Sequence, residues 1–267
     1  MAELYAIQFD IIWEDKAANH HHLETLLDQL QPEPGSLILL PEMFDVGFSL
    51  NTEKTCEEST NFASEKWCAR IARQYDLFLQ GASIRQPHDH TRKATNNTVV
   101  FNPAGELVCR YEKLVPFTGG RESEKFEAGQ SLVYYDWNGL RVCPFICYDL
   151  RFPELWRMAV KETNCDMFTC SASWPAVRQA HWRALLTARA IENQAFVAGV
   201  NRTGHDPYLH YAGGSIILDP MGNILSEADG NPQILHTNIN VQVVREWREK
   251  FTALDDLKHE WLGHITP

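Results

Sequence analysis

Reactive side chains stand where three apolar runs of this chain stop. Residues 141–154 read RVCPFICYDLRFPE, an apolar run from Val142 to Ile146 that delivers Cys147 directly into the polar turn Tyr148-Asp149. Glu42 follows the run SLILL of residues 36–40 and Pro41. Lys113 follows ELVCRYE, residues 106–112. A buried strand that ends on a thiol and breaks into a helix holds a nucleophile on a fixed backbone, and a nearby helix N-terminus favours negative charge. A buried cysteine taken alone is as readily inert core, and a glutamate at a strand end can simply cap the next turn.

Together the set Glu, Lys and Cys describes one reaction. A free thiol has pKa ~8.5 and is only a few per cent thiolate near neutral pH. A neighbouring carboxylate can take its proton as sulfur attacks a carbonyl carbon. A lysine ammonium favours the thiolate and steadies the oxyanion, where one good donor contributes roughly 3 kcal/mol. If the carbonyl belongs to an amide, the protonated carboxylate can return its proton to the departing nitrogen. Water activated by the same carboxylate then releases the acid from the thioester.

The elements that must position these residues come from hydrophobic periodicity. Strands are expected at Leu4–Ile12, Ser36–Leu40, Leu77–Ile84, Leu140–Cys147, Asp166–Ser173, Phe196–Val200 and Gln233–Asn240. Helices are expected at Asp15–Leu30, Thr60–Tyr75, Phe152–Glu162, Gln179–Asn193 and Val243–Phe251. Hairpins are expected at Asn97–Cys109 and Ser215–Leu225, each turning on an [Asn/Asp]-Pro-x-Gly sequence between aliphatic residues. The chain therefore reads as two halves, each β-α-β-α-β plus a hairpin. That pattern suggests an α/β fold of two sheets packed face to face with helices outside, a four-layer αββα sandwich. A single doubly wound sheet is the rival, and the hairpins would interrupt it. No linker divides the halves, so one domain over residues 1–267 is expected.

Composition excludes other classes. The chain has 267 residues, 44% hydrophobic and 22% charged, with 8 Trp and 13 Phe, enough for a real core. Its net charge of -11 argues against nucleic acid or an anionic membrane as partner. The start, MAELYAIQFD, reads as a strand and not a signal peptide. No apolar run reaches the roughly 18 residues of a membrane span. The 7 cysteines are scattered without CxxC, which suits free thiols in a reducing cytoplasm and neither a disulfide framework nor a zinc site. His20–His22 face different ways on a helix and cannot converge on one metal, so a solvated face is expected there. His88 and His90 are expected in a polar loop. No cofactor and no metal are expected.

LPEMF at 40–44, YEKLVPF at 111–117 and FICYDLRFPE at 145–154 resemble the three signature blocks of the nitrilase, or carbon-nitrogen hydrolase, superfamily. The stretch SWPAVRQAHWRALLTARAIENQAFVAGVNRTG at 173–204 resembles the ω-amidase branch, particularly its bacterial type. The resemblance extends over nearly the whole chain. It implies the αββα fold, a homodimer, and hydrolysis of the terminal amide of α-ketoglutaramate, α-ketosuccinamate or a related small ω-amide; whether the tail from about residue 252 joins an interface is left open by the sequence. It implies Glu42 as general base, Lys113 at the oxyanion, Cys147 as nucleophile and the Tyr148 N–H as second oxyanion donor. The family has a second glutamate seven positions before a glycine. Glu122 fits, before Ala128-Gly129, with Glu124 and Glu127 as neighbours that compete for the role. Relatives usually carry His-Leu-Phe after the lysine, whereas here Leu-Val-Pro-Phe follows. Phe117 can keep a wall role, and the loop TGGRESEKF, residues 118–126, should border the substrate and bear on specificity.

The remaining candidates are open. Trp174 either walls the pocket or packs in the core. Arg121, Arg151, Arg178 and His181 could hold a substrate carboxylate, and Arg151 serves equally as a structural ion-pair partner. Asp149 could cap the helix after Cys147, and Cys143 is assigned to packing. Rival activities are those of an N-carbamoyl amino acid hydrolase, a nitrilase or a deaminated-glutathione amidase. A non-catalytic dimeric binding protein of the same fold, and a thiol redox protein, are the rivals outside that class.

Overall fold

The computed structural model describes residues 2–57, 62–85 and 92–261. The expected loop position of His88 and His90 lies outside the described residues. The first half runs β1 (Ala2–Gln8), α1 (Lys16–Leu30), β2 (Leu37–Leu39), α2 (Thr52–Thr55), α3 (Ala63–Gln74), β3 (Phe78–Arg85), β4 (Thr95–Phe101) and β5 (Leu107–Glu112). A short α4 (Glu122–Lys125) follows, then β6 (Tyr135–Trp137), β7 (Leu140–Ile146), α5 (Pro153–Thr163), β8 (Met167–Ala172), α6 (Gln179–Asn193) and β9 (Phe196–Asn201). The chain closes with β10 (Thr203–His205), β11 (His210–Ala212), β12 (Ile216–Leu218), β13 (Ile224–Glu227), β14 (Gln233–Ile239) and α7 (Val241–Lys250).

The strands form two six-stranded sheets, ordered β14-β1-β2-β3-β4-β5 and β13-β12-β9-β8-β7-β6, with β10 and β11 as a separate pair. In each sheet three strands are parallel, β1-β2-β3 in one and β7-β8-β9 in the other, and the hairpin lies antiparallel beside them. Alternation along the strands makes the layers. Leu4, Ala6, Leu37 and Leu39 pack with Val142, Met167, Ala198 and Ile217 of the other sheet. Their alternates Tyr5, Ile7, Ile38 and Leu40 pack with Leu23 and Leu27 of α1 and Trp67 and Ile71 of α3. On the far side Phe145 and Phe168 pack with Trp156 of α5 and Leu186 of α6. The order helix, sheet, sheet, helix is the expected four-layer sandwich. It also explains the unbroken apolar strands, because both faces are covered. Each such large side chain contributes on the order of 2–3 kcal/mol by leaving water.

Several expectations need correcting. β1 stops at Gln8, before the expected Ile12. The last strand, expected at Gln233–Asn240 with no partner assigned, is β14 (ending at Ile239), which pairs antiparallel with β1 from Ala2↔Ile239 to Gln8↔Gln233. Strand β6 and the β10-β11 pair were not foreseen. Pro144 sits within β7, which is permitted because β6 pairs only as far as Val142 and leaves that side of Pro144 without a strand neighbour. The helix expected at Phe152–Glu162 is α5, displaced by one residue at each end. A 3-10 turn covers Cys147–Arg151, and α5 starts at Pro153, a residue suited to a first helical turn.

His20 also departs from the solvated face expected for it. Its ring stacks on Trp67 at 4.7 Å and 9° and lies 5.9 Å from Phe44. Burial lowers its pKa to about 4, outweighing the attraction of Glu57. The unfolded value is ~6.5. Between the two values only the unfolded chain takes up the proton, so stability falls as pH drops from ~6.5 toward 4, by roughly 2–3 kcal/mol. Urea unfolding at pH 7 and pH 4.5 should show this slope, and His20→Gln should lose that part of it.

Among the described residues no helix is long and apolar enough to cross a membrane, and no group of three or more His, Cys, Asp or Glu could hold a metal ion.

Candidate active site

Glu42, Lys113 and Cys147 converge at the carboxyl ends of β2, β5 and β7, the edge where open α/β sheets place their ligands. Lys113 comes from the first sheet's edge hairpin, and its N–H donates to the Asn96 carbonyl at 2.9 Å. The ammonium donates to Glu42 Oε1 at 2.8 Å and to Glu122 Oε2 at 2.8 Å. Glu42, Lys113 and Glu122 are all essentially buried. Burial opposes the charge on Lys113, but Glu122 and then Glu42 raise its pKa well above the ordinary lysine value. Lys113 therefore stays an ammonium at any working pH.

Each carboxylate oxygen of Glu42 is held. Oε1 accepts from Lys113 and from Asn96 Nδ2 at 2.8 Å, and Oε2 accepts from the Ser173 N–H at 2.9 Å. Glu122 accepts from Asn96 Nδ2 at 3.0 Å and from the Phe117 N–H at 2.6 Å. Of the three competing glutamates, Glu122 is thus the one in the cavity. Glu124 pairs with Arg121 and Glu127 with Arg92 on the surface. The landmark glycine has a physical reason: Gly129 N–H donates to the Lys113 carbonyl, and a Cβ there would lie 2.2 Å from the Glu112 carbonyl oxygen.

Cys147 is held in a left-handed conformation, φ 46°, at the top of β7, and Met43 after Glu42 is likewise at φ 47°. A non-glycine residue there costs about 1–2 kcal/mol. Burial pushes the Cys147 thiol well above its ordinary pKa, Glu42 pushes further, and Lys113 pulls back without prevailing. Lys113 thus favours the thiolate without preforming it. Two carboxylates and one ammonium already leave the cavity with a formal excess of negative charge, and a thiolate would add to it. A sulfur attacking a carbonyl from this position would have to shed its proton in the same step.

A comparison with known proteins decides the family. The carbon-nitrogen hydrolase family model matches residues 5–249. The chain belongs to the carbon-nitrogen hydrolase family. It is similar to omega-amidase YafV of Yersinia enterocolitica, at 35% identity over 95% of this chain and 96% of that one. Similarity to 2-oxoglutaramate amidase of Bacillus subtilis (strain 168) is 29% over 95% and 96%. Among solved structures, XC1258 of Xanthomonas campestris, a CN-hydrolase superfamily protein with an arsenic adduct in its active site, superposes with a TM-score of 0.89. It is 32% identical, over 96% of this chain and 97% of that one. Saccharomyces cerevisiae Nit3, at 23% identity, covers 94% of each chain with a TM-score of 0.81 and shares the fold.

In this hydrolase the thiol opens into a small chamber lined by Phe48, Phe117, Tyr148, Trp174, Leu209 and Tyr211, with Arg151 and Arg178 beside them. The Phe117 ring lies tilted at 45° to that of Tyr148, centroids 4.8 Å apart, and the glycines of the TGG loop wrap it: a Cβ on Gly120 would lie 2.6 Å from the ring. Trp174 is both wall and buried packing residue. Arg151 lies over Trp174 at 4.8 Å and Arg178 over Phe117 at 5.4 Å. His181 is outside the chamber lining. Its Nδ1 lies 3.2 Å from Arg151 Nη2, so it meets that guanidinium from the solvent side. Arg121 is likewise at the surface. Asp149 does not cap α5; its carboxylate serves the turn that carries the thiol. Cys143 lies 3.4 Å from Thr163 Oγ1 and away from the chemistry, as expected of a packing residue.

Sequence reasoning missed Asn96, which bridges both glutamates, and Ser173, Leu209 and Tyr211. Phe48 lies four residues beyond the LPEMF block. Asn96 sits in a polar run with no pattern to single it out.

Proposed function

We propose that this hydrolase cleaves the terminal amide of small ω-amides of dicarboxylates, α-ketoglutaramate or α-ketosuccinamate, to the dicarboxylate and ammonia. The observation that carries this reading is the chamber's polar lining: two guanidiniums, Arg151 and Arg178, with no carboxylate among the described lining residues. A substrate with an amide at one end and a carboxylate at the other fits that polarity. The similar proteins named omega-amidase and 2-oxoglutaramate amidase support the same substrate class.

In this reading Sγ of Cys147 attacks the amide carbon while Glu42 takes the thiol proton. Lys113 and the Tyr148 N–H hold the oxyanion, and Glu122 keeps Lys113 aimed and charged. The C–N bond breaks as Glu42 returns the proton to nitrogen, and ammonia leaves. Water then loses a proton to Glu42 and attacks the thioester carbon. The acid departs, and sulfur recovers its proton from Glu42.

The test is ammonia release across ω-amides, ureido acids and nitriles. Release from α-ketoglutaramate well above the other classes is the expected result. Ureido acids or nitriles as the better substrates would overturn it in favour of another branch of the family. Arg178→Gln and Arg151→Gln should each raise KM for a carboxylate-bearing amide about 10- to 100-fold, the equivalent of roughly 1.4–3 kcal/mol for a charge-assisted contact. A neutral amide of equal length should be little affected.

The reading extends to one domain over residues 1–267 that works in the cytoplasm as a homodimer, with the tail from about residue 252 at the interface. Trp261, 64% exposed in that tail, supports an interface there. Seven free cysteines support a reducing compartment. Sedimentation at micromolar concentration tests the dimer.

A further inference from the structure

We infer that Asp149 is a positioning residue for the reaction: its buried carboxylate brackets the loop after Lys113 to the turn that carries Cys147. The inference rests on the roles proposed above for those two residues. Lys113 and Cys147 belong to different sheets, so no strand pairing fixes their separation. The link between them is made by side chains.

Asp149 is fully buried. Its Oδ2 accepts from the Ile146 N–H at 3.0 Å, immediately before the thiol, and from the Tyr111 hydroxyl at 2.8 Å. Its Oδ1 accepts from the Val115 N–H at 2.9 Å, two residues after Lys113. Tyr111 in turn accepts from the Leu114 N–H at 3.4 Å. The Asp149 carbonyl is itself pinned by Trp156 Nε1 at 3.1 Å. One carboxylate thus ties the end of β5 and the loop beyond it to the last residue of β7. Hydrogen bonds from backbone N–H to a carboxylate are the stronger, charge-assisted kind.

A cap would need only the Ile146 bond. The bonds to Val115 and Tyr111 reach across to the other sheet and are what a bracket requires. Burial pushes Asp149 up to about 7, against Lys113 and the donors that favour its anion. Lys113, Tyr111 and the Cys170 thiol are the titratable groups around it. An amide cannot replace this carboxylate. Whichever way Asn is turned, its NH2 faces a backbone N–H.

The experiment follows the Cys147 thiol itself and needs no substrate. Alkylation by iodoacetamide is measured against pH, with the modified residue located by peptide mass, in the wild type, Asp149→Asn and Tyr111→Phe. The wild-type midpoint should lie above that of an ordinary thiol. Cutting the bracket lets the turn relax toward water, so the midpoint should fall by one pH unit or more in Asp149→Asn and by less in Tyr111→Phe. In the same variants kcat for the amide should fall at least 10-fold for Asp149→Asn, and the double variant should be no worse than Asp149→Asn alone. Wild-type midpoints in both variants would overturn the inference. If Asp149→Asn does not fold, Tyr111→Phe decides by the same measurement. Should the wild type hydrolyse no amide, the functional reading fails while the alkylation result still judges the bracket.

Discussion

Cys147→Ala should lose amide hydrolysis by a factor on the order of 10⁶, the scale seen when a lone covalent nucleophile is removed. Steady-state ammonia release is the measurement, and residual turnover within tenfold of the wild type would remove Cys147 from the mechanism. The same position carries a second expectation. Its left-handed backbone is uncomfortable for any side chain and free for glycine. Cys147→Gly should therefore be as inactive as Cys147→Ala yet more stable than it, by about 1 kcal/mol. Urea unfolding of the two inactive variants isolates that strain. Equal stability would mean that the turn relaxes without the thiol. The strain has a use, since the left-handed turn lifts sulfur out of the strand and into the chamber.

Lys113→Met should combine two large losses. Hydrolysis should fall at least 10³-fold, because an oxyanion donor and the charge that opposes two carboxylates disappear together. Stability should fall by about 3–5 kcal/mol, the usual result of stranding buried charge by removing its partner. Glu42 and Glu122 would then share a dry cavity bridged by Asn96 alone. Folding of this variant should take up protons, so part of the lost stability should return as the pH is lowered. Glu122→Gln in the same background should restore stability without restoring activity. A Lys113→Met protein as stable as the wild type would show that the cavity admits water freely.

Much of this arrangement was legible because it rests on local pattern. Residues 36–40 and 142–146 are apolar without alternation, the mark of strands covered on both faces, and the structure covers them so. The repeated Pro-x-Gly hairpins marked the two halves. Glu42 and Cys147 were legible as reactive residues at the ends of such runs, and Lys113 as one at the end of the mixed strand Leu107–Glu112. What was not legible depends on contacts between distant segments. Nothing in QILHTNI says that its partner is β1 and not the neighbouring β13. Tyr135–Trp137 is too short for periodicity to register. Asn96 looks like any asparagine in a strand until Glu42 and Glu122 are brought to either side of its amide. Asp149, four residues before Pro153, looks like a helix cap, and only the folded chain shows that its acceptors serve two sheets. The chamber wall from Leu209 and Tyr211 comes from a small hairpin whose sequence carries no strong strand signal.

The pairing of β14 with β1 has a bearing on how the protein is made. β2 can settle against one side of β1 soon after it is made, but the outer edge of β1, residues 2–8, waits for residues 233–239. Until those are synthesised, an apolar strand offers unpaired N–H and C=O groups to any passing extended chain. A polypeptide interrupted before residue 233 would keep that edge permanently open. The closing strand thus makes the two distant segments depend on each other: the outer edge of residues 2–8 is hidden only once residues 233–239 have been made.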